Sequence, residues 1–445
     1  MDGLNLEQLR NAAQAGRIDT VLLAFTDMQG RLQGKRLTAR HFLDSVVEHG
    51  AEACNYLLAV DVEMNTVGGY EIASWERGYG DFAMVPDLET LRPVPWHEKT
   101  ALCLADLAWD DHAPVAQSPR QILRRQLERL TERGLKASAA TELEFIVFKD
   151  TYEDAFANGY RDLTPANRYN LDYSMLATGR VEPLIGRIRR QMTNAGMLVE
   201  NSKGECNDGQ HEINFAYSDA LRAADEHSIY KTGAKEIAAQ EGMAITFMAK
   251  YDEREGNSCH IHLSLQREDG SAVFASDQTA FEQFLAGQLA ALRELTLFYA
   301  PNVNSYKRFA AGSFAPTAVA WGRDNRTCAL RVVGHGDALR IELRLPGADV
   351  NPYLALAAMI AAGLHGFDHE LPLEPRVEGN AYTADKPRVP ATLREAHDLF
   401  AAGRVAAGAF GDEVVAHYLN NARVELAAFE SAVTDWERVR GFERL

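Results

Sequence analysis

Four short segments carry ionisable side chains at alternate positions. In Thr141-Glu-Leu-Glu-Phe-Ile-Val-Phe148, Glu142 and Glu144 alternate with Leu143, Phe145 and Val147. Glu212 and Asn214 alternate with Ile213 and Phe215 in Gly209–Phe215, and His260, His262 and Ser264 with Ile261, Leu263 and Leu265 in Cys259–Leu265. In Arg340–Leu345, Arg340, Glu342 and Arg344 alternate with Ile341, Leu343 and Leu345. Successive side chains of a strand point to opposite faces, so each segment predicts a strand with one apolar and one ionisable face. One such segment alone is an ordinary half-buried strand. The set differs because Lys, Ser and Thr, the usual occupants of a solvated face, are nearly replaced by groups that ligate cations or grip anions. If the four faces line one funnel, their carboxylates repel one another unless divalent ions neutralise them. Oxygen ligands with imidazole and no thiolate suit Mg²⁺ or Mn²⁺ rather than structural zinc.

A second cluster is basic: Arg308, Arg323, Arg326, Arg331, Arg340 and Arg344, in a chain with 63 acidic against 46 basic residues. The planar guanidinium fork fits phosphate and carboxylate. Metal ions with a ring of arginines form a site for phosphoryl transfer, where catalysis is mainly charge stabilisation and positioning. No G-x-x-x-x-G-K-[ST] loop or kinase signature is present, so a different ATP-binding fold is needed. The net charge of −17 argues against nucleic acid as a partner.

These strands need a scaffold. At 445 residues the chain is long enough for a large α/β domain with an accessory one. The first hundred or so residues read as a small, mostly β domain. It has strands at Thr20–Phe25 and Ala83–Val85, a turn at Asp27–Gly30, a Gly-rich middle around Gly68 to Gly80, and a proline-marked end at Leu91–Trp96. One more strand-like run, Thr100–Leu107, precedes an amphipathic helix predicted over Pro119–Gly134. Strands then alternate with long helices to a last helix, predicted over Asp412–Arg438. Five cysteines, odd in number and never spaced C-x-x-C, indicate no disulfide framework and fit a reducing cytoplasm. The N-terminal Met1-Asp-Gly-Leu-Asn lacks the features of a signal peptide. The greasiest stretch, Tyr353–Leu364, is too short to span a bilayer.

Together the motifs resemble the glutamine synthetase superfamily. The strings that carry the resemblance are Thr141-Glu-Leu-Glu-Phe145, Gly204-Glu-Cys-Asn-Asp-Gly-Gln-His-Glu212, Gly256–Leu265, Asn304-Ser-Tyr-Lys-Arg308, Arg323-Asp-Asn-Arg326, and Glu342-Leu-Arg-Leu-Pro346 with Asn351-Pro-Tyr353. The resemblance implies an α+β chain: an N-terminal β-grasp domain (1–108), then a catalytic domain (109–445) whose curved antiparallel sheet forms half of a funnel. It also implies a homo-oligomer, a dodecamer of two hexameric rings, with each site completed by a neighbour's N-terminal domain. Position by position, it implies that Glu144, Glu205 and Glu212 hold one metal, and Glu142, His260 and Glu342 another. Glu200, Tyr217, His262, Ser264 and Arg340 match ATP contacts, Arg326 and Arg331 match residues that steady the moving phosphoryl group, and Gly256, Arg308 and Arg344 match glutamate contacts. The expected chemistry has two steps: the γ-carboxylate of glutamate takes a phosphoryl group from ATP, then an unprotonated amine displaces phosphate.

Two departures from the resemblance fall on the amine side. Ammonia users carry a flap close to Pro-Gly-Tyr-Glu-Ala-Pro, whereas this chain reads Ala311-Gly-Ser-Phe-Ala-Pro316, with Phe314 in the glutamate's place. A phenyl ring accepts no proton. The family's Asp-Gly-Ser-Ser string is replaced by Asn55-Tyr-Leu-Leu-Ala-Val-Asp-Val-Glu-Met64, in which either Asp61 or Glu63 stands for the aspartate. Phe314, Tyr56 and the apolar run Tyr56–Val60 are expected to line a pocket for the carbon chain of a primary amine. The expectation is therefore a γ-glutamylamine synthetase acting on ethanolamine, another monoamine or a polyamine. The alternative is a glutamine synthetase using ammonia.

Overall fold

The computed structural model describes residues 4–445; Met1–Gly3, the start of the stretch assessed for a leader, lie outside the described residues. Five strands near the N-terminus, β1 (Thr20–Thr26), β2 (Leu32–Thr38), β3 (Ala51–Cys54), β4 (Asp81–Pro93) and β5 (Thr100–Ala108), form one sheet in the order β2-β1-β5-β4-β3. Its centre is the parallel pair β1–β5, with antiparallel neighbours outside. This mixed sheet is consistent with the β-grasp expected from the sequence.

Here the sequence misleads in two places. Strand β2 escaped notice because Leu-Gln-Gly-Lys-Arg-Leu-Thr is mostly polar, and most of it is exposed on the sheet edge. Strand β4 runs far beyond Ala83–Val85: after an irregularity between Asp87 and Arg92 it resumes pairing through Pro93, so the proline passage begins inside the strand. A proline at the end of a strand, past a bulge, costs little. In the run Tyr56–Val60, Tyr56 and Leu57 are half-buried. Leu58, Ala59 and Val60 are buried in the core of their own subunit.

The rest of the chain is built on a nine-stranded sheet. Its strands are β6 (Leu135–Phe148), β7 (Val199–Gly204), β8 (Gln210–Phe215), β9 (Ser218–Asp219), β10 (Ala244–Thr246), β11 (Cys259–Arg267), β12 (Trp321–Arg323), β13 (Leu330–Val333) and β14 (Arg340–Leu343). The order is β12-β13-β14-β11-β6-β8-β7, with β9 and β10 also pairing to the long β6. All pairings are antiparallel except β12–β13. The alternation read from the sequence decides which face is dry: Leu143, Phe145, Ile213, Ile261, Leu263, Ile341, Leu343 and Leu345 are all buried, and the helices Pro119–Thr131 and Ala220–Gln240 pack against β6.

The helix Pro119–Thr131 starts with proline in its first turn, after Ser118 in extended conformation, where the missing N–H costs nothing. It ends three residues before Gly134, whose φ of +69° closes the turn. Pro352–Asp368 is apolar on nearly every side, and Pro352–Leu364 within it is buried throughout. It lies against Gln278–Ala291 so tightly that a Cβ on Gly366 would sit 1.9 Å from the Gln283 carbonyl oxygen. No helix among the described residues is long and apolar enough to cross a membrane. The last helix is two helices, Asp412–Ser431 and Asp435–Gly441. Thr434 interrupts the expected run: its side chain caps the Glu437 amide while Glu437 returns the bond, a capping box that starts a new helix.

Candidate active site

The strand registers place the ionisable faces together. Glu144 pairs with Glu212 across β6–β8, His260 with Glu142 across β6–β11, and His262 and Arg331 both pair with Glu342 on β14. These side chains line or adjoin a cavity of about 990 Å³. Its wall also carries Glu200, Glu205, Gly256, Arg308, Phe314, Arg326 and Arg344.

Two groups of potential ligand atoms without a thiol converge in it, and a third, Asp172, Glu205 and Cys206, shares Glu205 with the first. Those of Glu144, Glu205 and Glu212 all lie within 4.8 Å of one another, as do those of Glu142, His262 and Glu342. Glu144 is oriented from behind, accepting from Ser258 Oγ at 2.6 Å, the Ser258 amide at 2.7 Å and Gln210 Nε2 at 3.1 Å. Glu205 pairs with Lys203, and Glu212 accepts from Asn214 Nδ2 at 2.9 Å. Burial, followed by the charges of Glu144 and Glu142, pushes the Glu212 carboxyl up to about 8. A carboxyl held protonated by burial and by two facing carboxylates marks a site short of positive charge, as a cation-binding pocket is. The donor set thus fits a hard divalent ion.

The second group differs in its electrostatics. Burial opposes ionisation of Glu142, but hydrogen bonds from His260 Nδ1 at 3.1 Å and His262 Nε2 at 2.8 Å outweigh it and hold the carboxyl far below its usual range. Glu342 is likewise held low against burial by His260 and Arg344, then His262 and Arg331; Arg331 Nη1 donates to it at 2.9 Å and Arg344 also pairs with it. Proximity groups His262 with these carboxylates, whereas the sequence resemblance pointed to His260. Hydrogen-bond direction separates the two rings. Arg340 Nε donates to His262 Nδ1 at 3.1 Å; a guanidinium only donates, so the His262 proton sits on Nε2 and faces Glu142. His260 Nδ1 lies 3.1 Å from Glu142 and 3.7 Å from Glu342, between the two carboxylates with which it would share an ion.

The glutamate-side positions also converge. Arg308 is buried, donating to the Leu345 carbonyl at 2.8 Å, and burial lowers its pKa. A Cβ on Gly256 would lie 2.4 Å from the Ala249 carbonyl oxygen and 2.7 Å from Arg308 Cγ, so only glycine fits against that arginine. Arg344 Nε is a buried donor without a partner among the described residues, available to a carboxylate of a bound molecule. Phe314 sits on the rim, 57% exposed, with a backbone φ of +58°.

Other expected residues are not gathered. Tyr217, Ser264 and Arg340 do not line the cavity, nor do Tyr56, Asp61 and Glu63. Tyr56 packs edge-on to Tyr79 at 6.2 Å, Asp61 closes a turn by accepting from Asn65, and burial, then the charges of Glu63 and Asp61, raises the pKa of Glu425 in the helix Asp412–Ser431. Within one subunit, therefore, the amine-side candidates of the N-terminal domain stand apart from the metal-side ones. The sequence reasoning missed Ser258 and Gln210, which position Glu144. Both lie inside the motif strings, Gln210 in Gly204–Glu212 and Ser258 in Gly256–Leu265, but neither residue type ligates metal strongly.

Comparison with known proteins agrees with this geometry. Residues 116–440 match the family described as glutamine synthetase, catalytic domain. Over 445 residues the chain is 65% identical to a γ-glutamylethanolamide synthetase of Streptomyces coelicolor, covering 99% of this chain and 96% of the relative. It is 39% identical to a glutamate–isopropylamine ligase of a Pseudomonas species, covering 97% of each. A solved structure described as a GmaS–ADP complex superimposes over 100% of both chains with a TM-score of 0.87 at 28% identity. The funnel of paired carboxylates and arginines, its sheet and these matches together establish that the chain belongs to the glutamine synthetase family.

Proposed function

We propose that this protein is an ATP-dependent ligase that joins glutamate, through its γ-carboxylate, to a small primary amine, by way of γ-glutamyl phosphate. Ethanolamine leads the candidates, ahead of other monoamines and polyamines. The observation that carries the amine class is Phe314: the rim position where a proton-accepting carboxylate would serve ammonium holds an exposed phenyl ring. The similarity to two ligases whose names specify organic amines supports the same choice.

In this account Glu144, Glu205 and Glu212 hold one divalent ion, Mg²⁺ or Mn²⁺, and Glu142, His260 and Glu342 a second. Such ions neutralise the charge that gathers on the phosphoryl oxygens. Ser258 and Gln210 fix Glu144, and His262, with its tautomer set by Arg340, fixes Glu142. Arg308 and Arg344 seat the carboxylate groups of glutamate against Gly256. Arg326, on the cavity wall, and Arg331, beside Glu342, steady the phosphoryl group in transit. Glu200, Tyr217, His262, Ser264 and Arg340 form the nucleotide side. The division at 108/109, a cytoplasmic location and a dodecamer of two hexameric rings, in which Tyr56 and Asp61 or Glu63 complete a neighbour's site, belong to the same proposal. The test is phosphate release with ATP and glutamate across ammonia, methylamine, ethanolamine, putrescine and spermidine. Ethanolamine or another organic amine is expected to support the fastest turnover; ammonia outrunning every organic amine would overturn the amine class.

A further inference from the structure

We propose that Asp172 holds the positively charged head of the incoming amine, with Tyr173 beside it covering the carbon chain, an assignment that rests on the ligase activity proposed above. Most acidic side chains on the cavity wall are engaged: the two ligand groups hold the larger share, and Glu182 pairs with Arg189. Asp172, Glu200 and Glu255 line the cavity, and among the described residues none of their carboxylates has an ion-pair or hydrogen-bond partner. Glu200 lies on the nucleotide side. Glu255 precedes Gly256, where a substrate carboxylate is seated, and would meet charge of its own sign. Asp172 is left to take a cation.

Its surroundings suit an alkylammonium ion. Ligand atoms of Asp172, Glu205 and Cys206 lie within 4.8 Å of one another, so the carboxylate stands beside the first metal group. The Leu171 amide donates to the Glu205 carbonyl at 3.2 Å, tying this segment to the loop that carries Glu205. Tyr173 has a φ of +55°, a conformation that residues other than glycine rarely adopt, and Lys203 Nζ lies 4.9 Å from its ring centroid. Tyr173, Met175 and Phe314 line the same cavity and are each more than half exposed, which gives a short carbon chain apolar contact on the site side. A carboxylate next to an aromatic face is a recurrent receptor for an ammonium group.

The test compares Asp172→Asn with wild type using ethanolamine, a cation at neutral pH, and hydroxylamine, which is mostly uncharged there. The expected result is a rise of about tenfold to a hundredfold in KM for ethanolamine, the loss of one hydrogen bond to a charged group. Hydroxamate formation, the KM values for glutamate and ATP, and the Mn²⁺ requirement should stay at wild-type levels. Asp172→Glu, which keeps the charge, should restore much of the ethanolamine KM. An unchanged ethanolamine KM, or equal loss with both nucleophiles, overturns the assignment; a shifted metal requirement does so as well, by placing Asp172 among the metal ligands. If wild type makes only glutamine, the amine class proposed above fails instead, and the same comparison with ammonium replacing ethanolamine still decides the role of Asp172.

Discussion

Glu212 faces Glu144 across two strands and feels Glu142 beyond it, and its raised pKa makes a definite demand on stability. A carboxyl near 8 in the folded protein and near its ordinary value in the unfolded chain stabilises the fold fully below about 4.5, and that contribution is lost as pH rises through about 8. Glu142 and Glu342 are shifted the other way, so their contributions vanish only in acid. The unfolding temperature of metal-free protein is therefore expected to fall between about pH 5 and 8. Saturating Mn²⁺ should abolish that fall by taking the proton's place, and Glu212→Gln should flatten it; calorimetry across this range checks both. Arg344→Lys should raise the glutamate KM by about tenfold or more, because one ammonium replaces a forked donor whose Nε has no other partner. An unchanged glutamate KM would place Arg344 elsewhere. Phe314→Glu should cost about tenfold to a hundredfold in organic-amine turnover, as apolar contact is lost and a carboxylate is desolvated against the carbon chain. An unchanged amine profile would leave Phe314 without a role in selectivity.

The two-residue alternation makes β6, β8, β11 and β14 legible in the sequence, since one face of each strand has to be dry and the other charged. It also brought out most of the metal-side residues. Polar β2 had no such pattern, the capping box at Thr434 was hidden inside a continuous helical rhythm, and the burial of Leu58–Val60 depended on partners far along the chain. The junction between the two sheets was equally unreadable. Arg120, in the helix Pro119–Thr131, bridges Asp87 on β4 and Asp106 on β5, each at 2.7 Å, to Asp225 on Ala220–Gln240 at 2.9 Å, and Tyr353 Oη donates to Asp225 at 2.7 Å. Removing one side of such a buried network strands the remaining charges. Arg120→Ala is expected to destabilise the fold by about 3–5 kcal/mol, seen as a lower denaturation midpoint; a loss below about 1 kcal/mol would mean that the network contributes no more than surface ion pairs do.

At the scale of the molecule, one sheet supplies most of the metal-side groups, and the glutamate-side ones come from segments beyond its strand ends and from the turn Val303–Arg308, while Tyr56, Asp61 and Glu63 lie outside the cavity of their own chain. Family membership and the proposed phosphoryl-transfer groups leave the nucleophile as the point on which the function turns. The most direct measurement is a competition: ATP, glutamate, ammonia and ethanolamine together, the two amines at equal concentration, with products identified by mass spectrometry. γ-Glutamylethanolamide is expected to accumulate well ahead of glutamine. A product mixture dominated by glutamine would contradict the account and make this chain an ammonia-using glutamine synthetase with an unusual flap.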